Sequence, residues 1–236
     1  AFEVHGAIYG RWSSLGFERS YLGYPVSDET PTTLPTLGPG RINSFQFGRI
    51  YWSQTTGAIT ELPATVQPDP QPITTPEGTP LGGSVNMILK SNGDYTVTFH
   101  MHDSGIPSYD FSVAAIFTTP GGLTIAASYE GHVEGTGATT FTHAPNRDSD
   151  GAVSGSNPMI RMHWADIRGG RLWATKDYSA TGLIGFAEDV VKFVLDVTAT
   201  VAGIGIGVVI GLAMSSAACS AGLGLAAWLV SSPDAL

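Results

Sequence analysis

Between Val197 and Pro233 the chain carries no Asp, Glu, Lys, Arg or His. About 20 apolar residues of helix cross a bilayer, so this run is long enough to span one. It is also rich in Gly, Ala and Ser. Gly203, Gly207 and Gly211 recur every fourth residue, with Gly205 beside them. That spacing gives a smooth helical face suited to close packing in a membrane. In water each such glycine costs a helix roughly 0.8–1 kcal/mol against Ala. Three fates are open: a C-terminal anchor, an inserting hairpin of a pore former, or a helical hairpin buried on a soluble body. Trp228 suits an interfacial position near the end of a second helix. The lead-in GFAEDVVKFVLDV has helical spacing, with Phe186, Val190, Phe193, Val194 and Val197 on one stripe.

The rest of the chain is polar and acidic. Its formal charge is -9, with 11 Lys plus Arg. Nucleic acid is excluded as a partner, because phosphate binding needs a basic patch. Cys219 is the single cysteine, so no disulfide forms within the chain. The chain does not begin with Met, as expected after removal of a leader or trimming of a tag. No P-loop, dinucleotide fingerprint, G-x-S-x-G or HExxH occurs.

Four regions follow from composition and period. Residues 1–62 hold ten of the 23 aromatic residues among closely spaced Gly, Pro and Ser, which fits short strands, turns and a short helix over Ala7 to Leu15. Residues 63–80 are proline-rich and read as an extended, solvated spacer. Residues 81–180 read as antiparallel β. Ser84 to Leu89 and Tyr95 to Met101 flank an Asn92-Gly93 turn signal. Phe111 to Thr118 and Leu123 to Tyr129 flank Pro120-Gly121-Gly122. Ala138 to His143, Met159 to Trp164 and Arg171 to Thr175 are further expected strands. Residues 181–236 form the helical segment. The expected fold is mainly β: a small β-rich module, then an antiparallel sandwich or partly open barrel, then a hydrophobic helix or helical hairpin.

Two constellations in the β region carry metal chemistry. Residues two apart on a strand face one side, so His100 pairs with His102 and His132 with Glu134. If their strands are neighbours, three imidazoles and a carboxylate converge, a set suited to zinc and to metal-dependent hydrolysis. The alternative is polar residues on a solvated sheet face. Asn146, Asp148 and Asp150, followed by Gly151, match the front of a calcium loop but lack its closing Glu; a plain Asx-rich turn is the other reading.

The N-terminal stretch contains HGAIYGRW, then LGYPVSDE (Leu22, Gly23, Tyr24 and Pro25 opening it), then GRINSFQFGRIYWSQTTGA. It resembles the LGFP repeat, common in actinobacterial secreted and cell-wall-associated proteins, with Tyr24 in place of the signature Phe. The resemblance covers about residues 5–62 and implies attachment to a cell-wall polysaccharide or other surface glycan. Trp12, Tyr24, Tyr51 and Trp52 are the candidate stacking rings, with Asp28 and Arg41 as polar partners. The competing role for these rings is a small aromatic core. The combined expectation is a secreted, glycan-recognising surface protein whose apolar segment meets a membrane or packs on the β body. A pore-forming toxin and a metal-dependent hydrolase are the alternatives, and homo-oligomerisation is compatible with each.

Overall fold

The computed structural model describes residues 1–138 and 145–179, with the backbone of 209–211, 215–216 and 229–230. The chain forms two compact units. One comprises residues 1–66, 89–94 and 156–164; the other comprises 67–88, 95–155 and 165–236.

The first unit opens with helix α1 (Gly6–Ser14). Ile8, Trp12 and Leu15 recur at helical spacing and turn one stripe toward the core. Gly16, at φ +99°, ends the helix in the left-handed region, where its N–H donates to the Ser13 carbonyl at 3.0 Å. A four-stranded antiparallel meander follows: β1 (Thr30–Leu34), β2 (Gly38–Phe45), β3 (Gly48–Ser53) and β4 (Ile59–Pro63). Ile8, Leu22, Phe45 and Ile50 are fully buried together, with Trp12, Tyr21, Trp52 and Ile59 packed around them.

The proline-rich stretch is extended, yet parts of it are paired. In the first unit β5 (Thr65–Val66) joins Lys90 and Leu89. In the second, β6 (Gln71–Ile73) joins Val85 to Gly83. Both partners lie on β7 (Leu81–Lys90).

The second unit is built on two sheets. β7, β8 (Asp94–Asp103) and β11 (Asp148–Ser156) form one in the order β11-β8-β7. Val97, Phe99 and Met101 are buried while Thr98 and His100 are exposed, the alternation expected of Tyr95 to Met101. At the preceding turn Gly93 has φ +101° and the Asn92 side chain accepts the Asp94 N–H at 3.1 Å. The other sheet centres on β9 (Tyr109–Thr118), paired antiparallel with β10 (Thr124–Val133) on one side and β12 (Arg171–Ser179) on the other. Every residue from Phe111 to Phe117 is buried, as a central strand covered on both faces requires. Phe99 and Tyr129 stack across the two sheets at 5.8 Å. Among the described residues the sheets stay open and no closed barrel forms.

Three expectations change. The strand expected at Met159 to Trp164 is helical: α2 (Pro158–Met162) and α3 (Trp164–Ile167) replace it. Asn157 caps α2 by accepting the Met159 N–H at 2.9 Å, and Pro158 sits at its first position. The Asn146-Asp148-Asp150 loop is a strand from Asp148 onward. Within the apolar run, β13 (Val209–Gly211), β14 (Ser215–Ser216) and β15 (Leu229–Val230) are extended rather than helical; β13 and β14 run parallel to β10, and β15 pairs with β13. Gly211 therefore lies on a strand opposite Ala126. β-branched Val209 and Ile210 favour that conformation. Gly203, Gly207, Trp228 and the amphipathic lead-in at Phe186 lie outside the described residues, as does the strand expected from Ala138 to His143 beyond its first residue, which ends a 3-10 turn (Thr136–Ala138). Among the described residues, no helix is long and apolar enough to cross a membrane.

Candidate functional site

The first unit has too few aliphatic residues to bury its aromatics completely, and they run out to its surface. The Trp12 indole meets Phe45 at 5.6 Å inside and Phe17 edge-on at 5.1 Å outside. Phe17 in turn meets Tyr9 at 5.8 Å. These geometries are the tilted and edge contacts that aromatic quadrupoles favour. Tyr9 is 47% exposed. Phe17 stands at φ +57°, a left-handed conformation uncommon for a bulky residue. It opens a short 3-10 turn, Phe17–Arg19, directly after Gly16. The backbone thus accepts an unfavourable conformation where the ring joins this ridge.

The Leu22-Gly23-Tyr24-Pro25 signature clasps the turn between β2 and β3. Leu22 fills the core, and its carbonyl accepts the Phe47 N–H at 3.1 Å. Gly23 has φ +72°, and a Cβ there would lie 2.5 Å from Gln46 Oε1. That oxygen accepts the Tyr24 N–H at 3.1 Å, while the Gln46 N–H donates to the Tyr24 carbonyl at 3.0 Å. Trp12 Nε1–H donates to the Gly23 carbonyl at 3.3 Å. Pro25 bridges to Phe45. Every signature position is occupied by architecture except the Tyr24 side chain, which is 59% exposed.

Of the rings expected to stack on sugar, Tyr24 is open and Trp12 half-buried. Tyr51 is fully buried, with its hydroxyl donating to the Gly38 carbonyl at 2.5 Å, and this corrects its assignment as a platform. Trp52 packs half-buried against the core. Asp28 accepts the Glu3 N–H at 2.8 Å, tying down the N-terminal segment. Arg41 is ion-paired with Glu29 and also donates to its carbonyl at 3.2 Å. Tyr9 and Phe17 were not among the expected platforms. Tyr9 was detectable, since it falls off the Ile8, Trp12 and Leu15 stripe. Phe17 carried no signal, because its position depends on the backbone reversal after Gly16.

Behind the ridge, Arg11 pairs with Glu61, and the Tyr21 hydroxyl donates to the same carboxylate. Burial, reinforced by the hydrogen bond to Glu61 and its negative charge, pushes the Tyr21 phenol well above its ordinary value.

The metal sets do not assemble. β8 and β10 belong to different sheets, so His100 and His102 do not share a face with His132 and Glu134. Each histidine has an aspartate from an adjacent strand instead: His100 with Asp150 at 2.8 Å, His102 with Asp148 at 2.7 Å and His132 with Asp110 at 2.8 Å. Glu134 accepts the Asn146 N–H at 2.7 Å. Asp148 and Asp150 face one side of β11 toward β8 and do not wrap around a cation. Among the described residues no three His, Cys, Asp or Glu side chains are grouped to hold a metal ion.

Residues 22–61 match the family model of the LGFP repeat, from the first residue of the signature to Glu61, and no family model matches the remainder. No curated protein and no solved structure matches the chain. Proteins with LGFP repeats are typically associated with the cell surface.

Proposed function

We propose that the first unit binds a cell-wall or surface glycan through Tyr9, Phe17 and Tyr24, with Trp12 as the half-buried foundation of the ridge. The observation that carries this reading is the ring series from Phe45 outward through Trp12 and Phe17 to Tyr9. Its outer end is exposed, and one member stands in a left-handed backbone conformation. Sugar rings present apolar C–H faces, and exposed aromatic rings offer matching surfaces. The LGFP match supports a surface location for such a module.

Sedimentation of the full chain with purified wall polysaccharide tests the reading. Tyr9→Ala combined with Tyr24→Ala is expected to weaken retention about tenfold while far-ultraviolet circular dichroism is unchanged, since stacked aromatic contacts contribute about 0.5–1.5 kcal/mol each. Undiminished retention by the double variant would sink it. Trp52→Ala is a poor probe, because that ring supports the core.

For the apolar run, the pairing of β13 and β14 with β10 supports packing on the β body over insertion as a pore. Dye-loaded vesicles should stay sealed when mixed with the protein. Release would instead favour the inserting hairpin.

A further inference from the structure

We propose that the first unit also carries an anion site, which takes a carboxylate or phosphodiester group of the polysaccharide bound by the aromatic ridge. The inference rests on the glycan reading and adds the charge class of the ligand. Its basis is an open pocket of about 480 Å³ at the end of the meander, where β2, β3 and β4 meet the segment running into β5. Ser44, Arg49 and Leu62 stand side by side in register across three strands on the sheet face away from α1. Together with Gln46 and Thr65 they line the pocket.

The polar groups of this wall are rich in donors. Arg49 is exposed and makes no ion pair among the described residues. A guanidinium offers a planar fork that matches a carboxylate or phosphate at two oxygens. Gln46 spends its carbonyl oxygen on the Tyr24 N–H, which leaves its amide N–H groups available. The Ser44 and Thr65 hydroxyls add two further donors.

Lys90 supplies a second cation. It lies directly opposite Thr65 in the β5–β7 pair, so the two side chains share a side. Ser91 fixes that register: its N–H donates to the Ala64 carbonyl at 2.9 Å, and its hydroxyl accepts the Ala64 N–H at 3.0 Å and donates to the Phe47 carbonyl at 2.5 Å. Lys90 likewise has no ion-pair partner among the described residues. In a chain of formal charge -9, two uncommitted cations beside one donor-lined pocket are a local reversal of sign. Gln46 also ties the pocket to the signature, because it holds the backbone of Tyr24.

The test is titration of the full chain with sodium glucuronate, glycerol phosphate and glucose, followed by amide chemical shifts. Saturable shifts at Arg49, Thr65 and Lys90 are expected with at least one of the two anions and not with glucose. Response to glucuronate alone assigns an acidic sugar; response to glycerol phosphate assigns a phosphate-bearing polymer. Arg49→Gln should weaken the responsive anion about tenfold, and Arg49→Lys should restore part of the loss. Anion binding no stronger than that of glucose, or equal binding by Arg49→Gln, overturns the inference. Polysaccharide sedimentation separates it from its premise. Retention that needs Tyr9 and Tyr24 but not Arg49 leaves the glycan reading standing and removes the anion site. Retention indifferent to all three removes both.

Discussion

The aromatic unit and the β9-centred sheet bury their side chains in opposite ways. From Phe111 to Phe117 the central strand is buried without a break, including the small residues Ser112, Ala114 and Ala115. The aromatic unit has four buried hydrophobics in its core cluster; of its rings, Phe45, Tyr51 and Trp164 are buried, while Trp12, Phe17, Tyr21 and Trp52 are half-buried and Tyr9 and Tyr24 exposed. A small module has a high ratio of surface to volume, and here it leaves Trp12 and Trp52 half-buried. Apolar surface that folding leaves uncovered is then available to a ligand. In the larger sheets the polar face is closed upon itself, with each strand histidine paired to an aspartate. On the proposed reading, exposure of side chains serves binding in one region and solvation in the other.

The largest effect that sharpens this contrast is expected in β9. Phe117 is fully buried, and its ring lies where a Cβ on Gly170 would be, 2.2 Å away. Phe117→Ala should cost about 3–5 kcal/mol, measured by urea unfolding followed by amide exchange in β9, β10 and β12. Leu22→Ala should cost the aromatic unit about 2–5 kcal/mol. Tyr9→Ala should cost under about 0.5 kcal/mol, since surface substitutions away from special contacts rarely exceed that. A loss of several kcal/mol from Tyr9→Ala would break the comparison, because the exposed ridge would then be maintaining the fold.

Gly23→Ala should fall between these. The new side chain would have to adopt a left-handed φ, at a cost of about 1–3 kcal/mol, and meet Gln46 as well. Because Gln46 positions Tyr24 through two backbone hydrogen bonds, the variant should also weaken polysaccharide retention. Melting temperature and sedimentation on the same sample check both effects.

Tyr21 gives the aromatic unit a pH signature. Its folded pKa is raised, first by burial and then by the Glu61 carboxylate. Below about pH 10, the ordinary tyrosine value, both folded and unfolded chains hold the proton and the contribution is intact. Above it the unfolded chain releases the proton first, so stability falls as pH rises toward the folded value. Tyr21→Phe should flatten the decline between pH 9 and pH 11, read as urea midpoints for exchange in β3 and β4. An unchanged slope would show that Tyr21 ionises as freely in the folded protein as in the unfolded chain.

Local features of this architecture were legible in the sequence, and distant pairings were not. Alternation from Tyr95 to Met101, the Asn92-Gly93 turn and the short helix over Ala7 to Leu15 are set by neighbours a few residues apart. Asn157 and Pro158, the cap and first residue of α2, start a helix where a strand was expected at Met159 to Trp164. The spacing of Asp148, Asp150 and Gly151 suits a cation loop and a strand face equally well. Only the partner strand β8 decides between them. His100 and His132 each have a face fixed by local periodicity, whereas membership of different sheets is fixed by topology. Tyr51 reads as an exposed platform until Gly40 is seen to leave space for its ring; a Cβ there would lie 2.5 Å from the Tyr51 hydroxyl.

The smallest expected effect concerns the histidine face. His100 and His102 have side chains 46% and 45% exposed, and Asp150 and Asp148 are 76% and 54% exposed. Water and salt screen such pairs, and ordering the side chains costs entropy. Asp150→Asn and Asp148→Asn should therefore each shift stability by less than about 1 kcal/mol, with the effect fading as ionic strength rises. Asp148 should give the larger shift, because it bonds His102 at 2.7 Å and also lies 3.8 Å from His100. A double-mutant cycle between His102 and Asp148 isolates the pair from changes in strand propensity. A coupling above about 2 kcal/mol would mean that these pairs hold β11 to β8. The polar face would then be a structural seam, and exposure would cease to separate solvation from cohesion in this region.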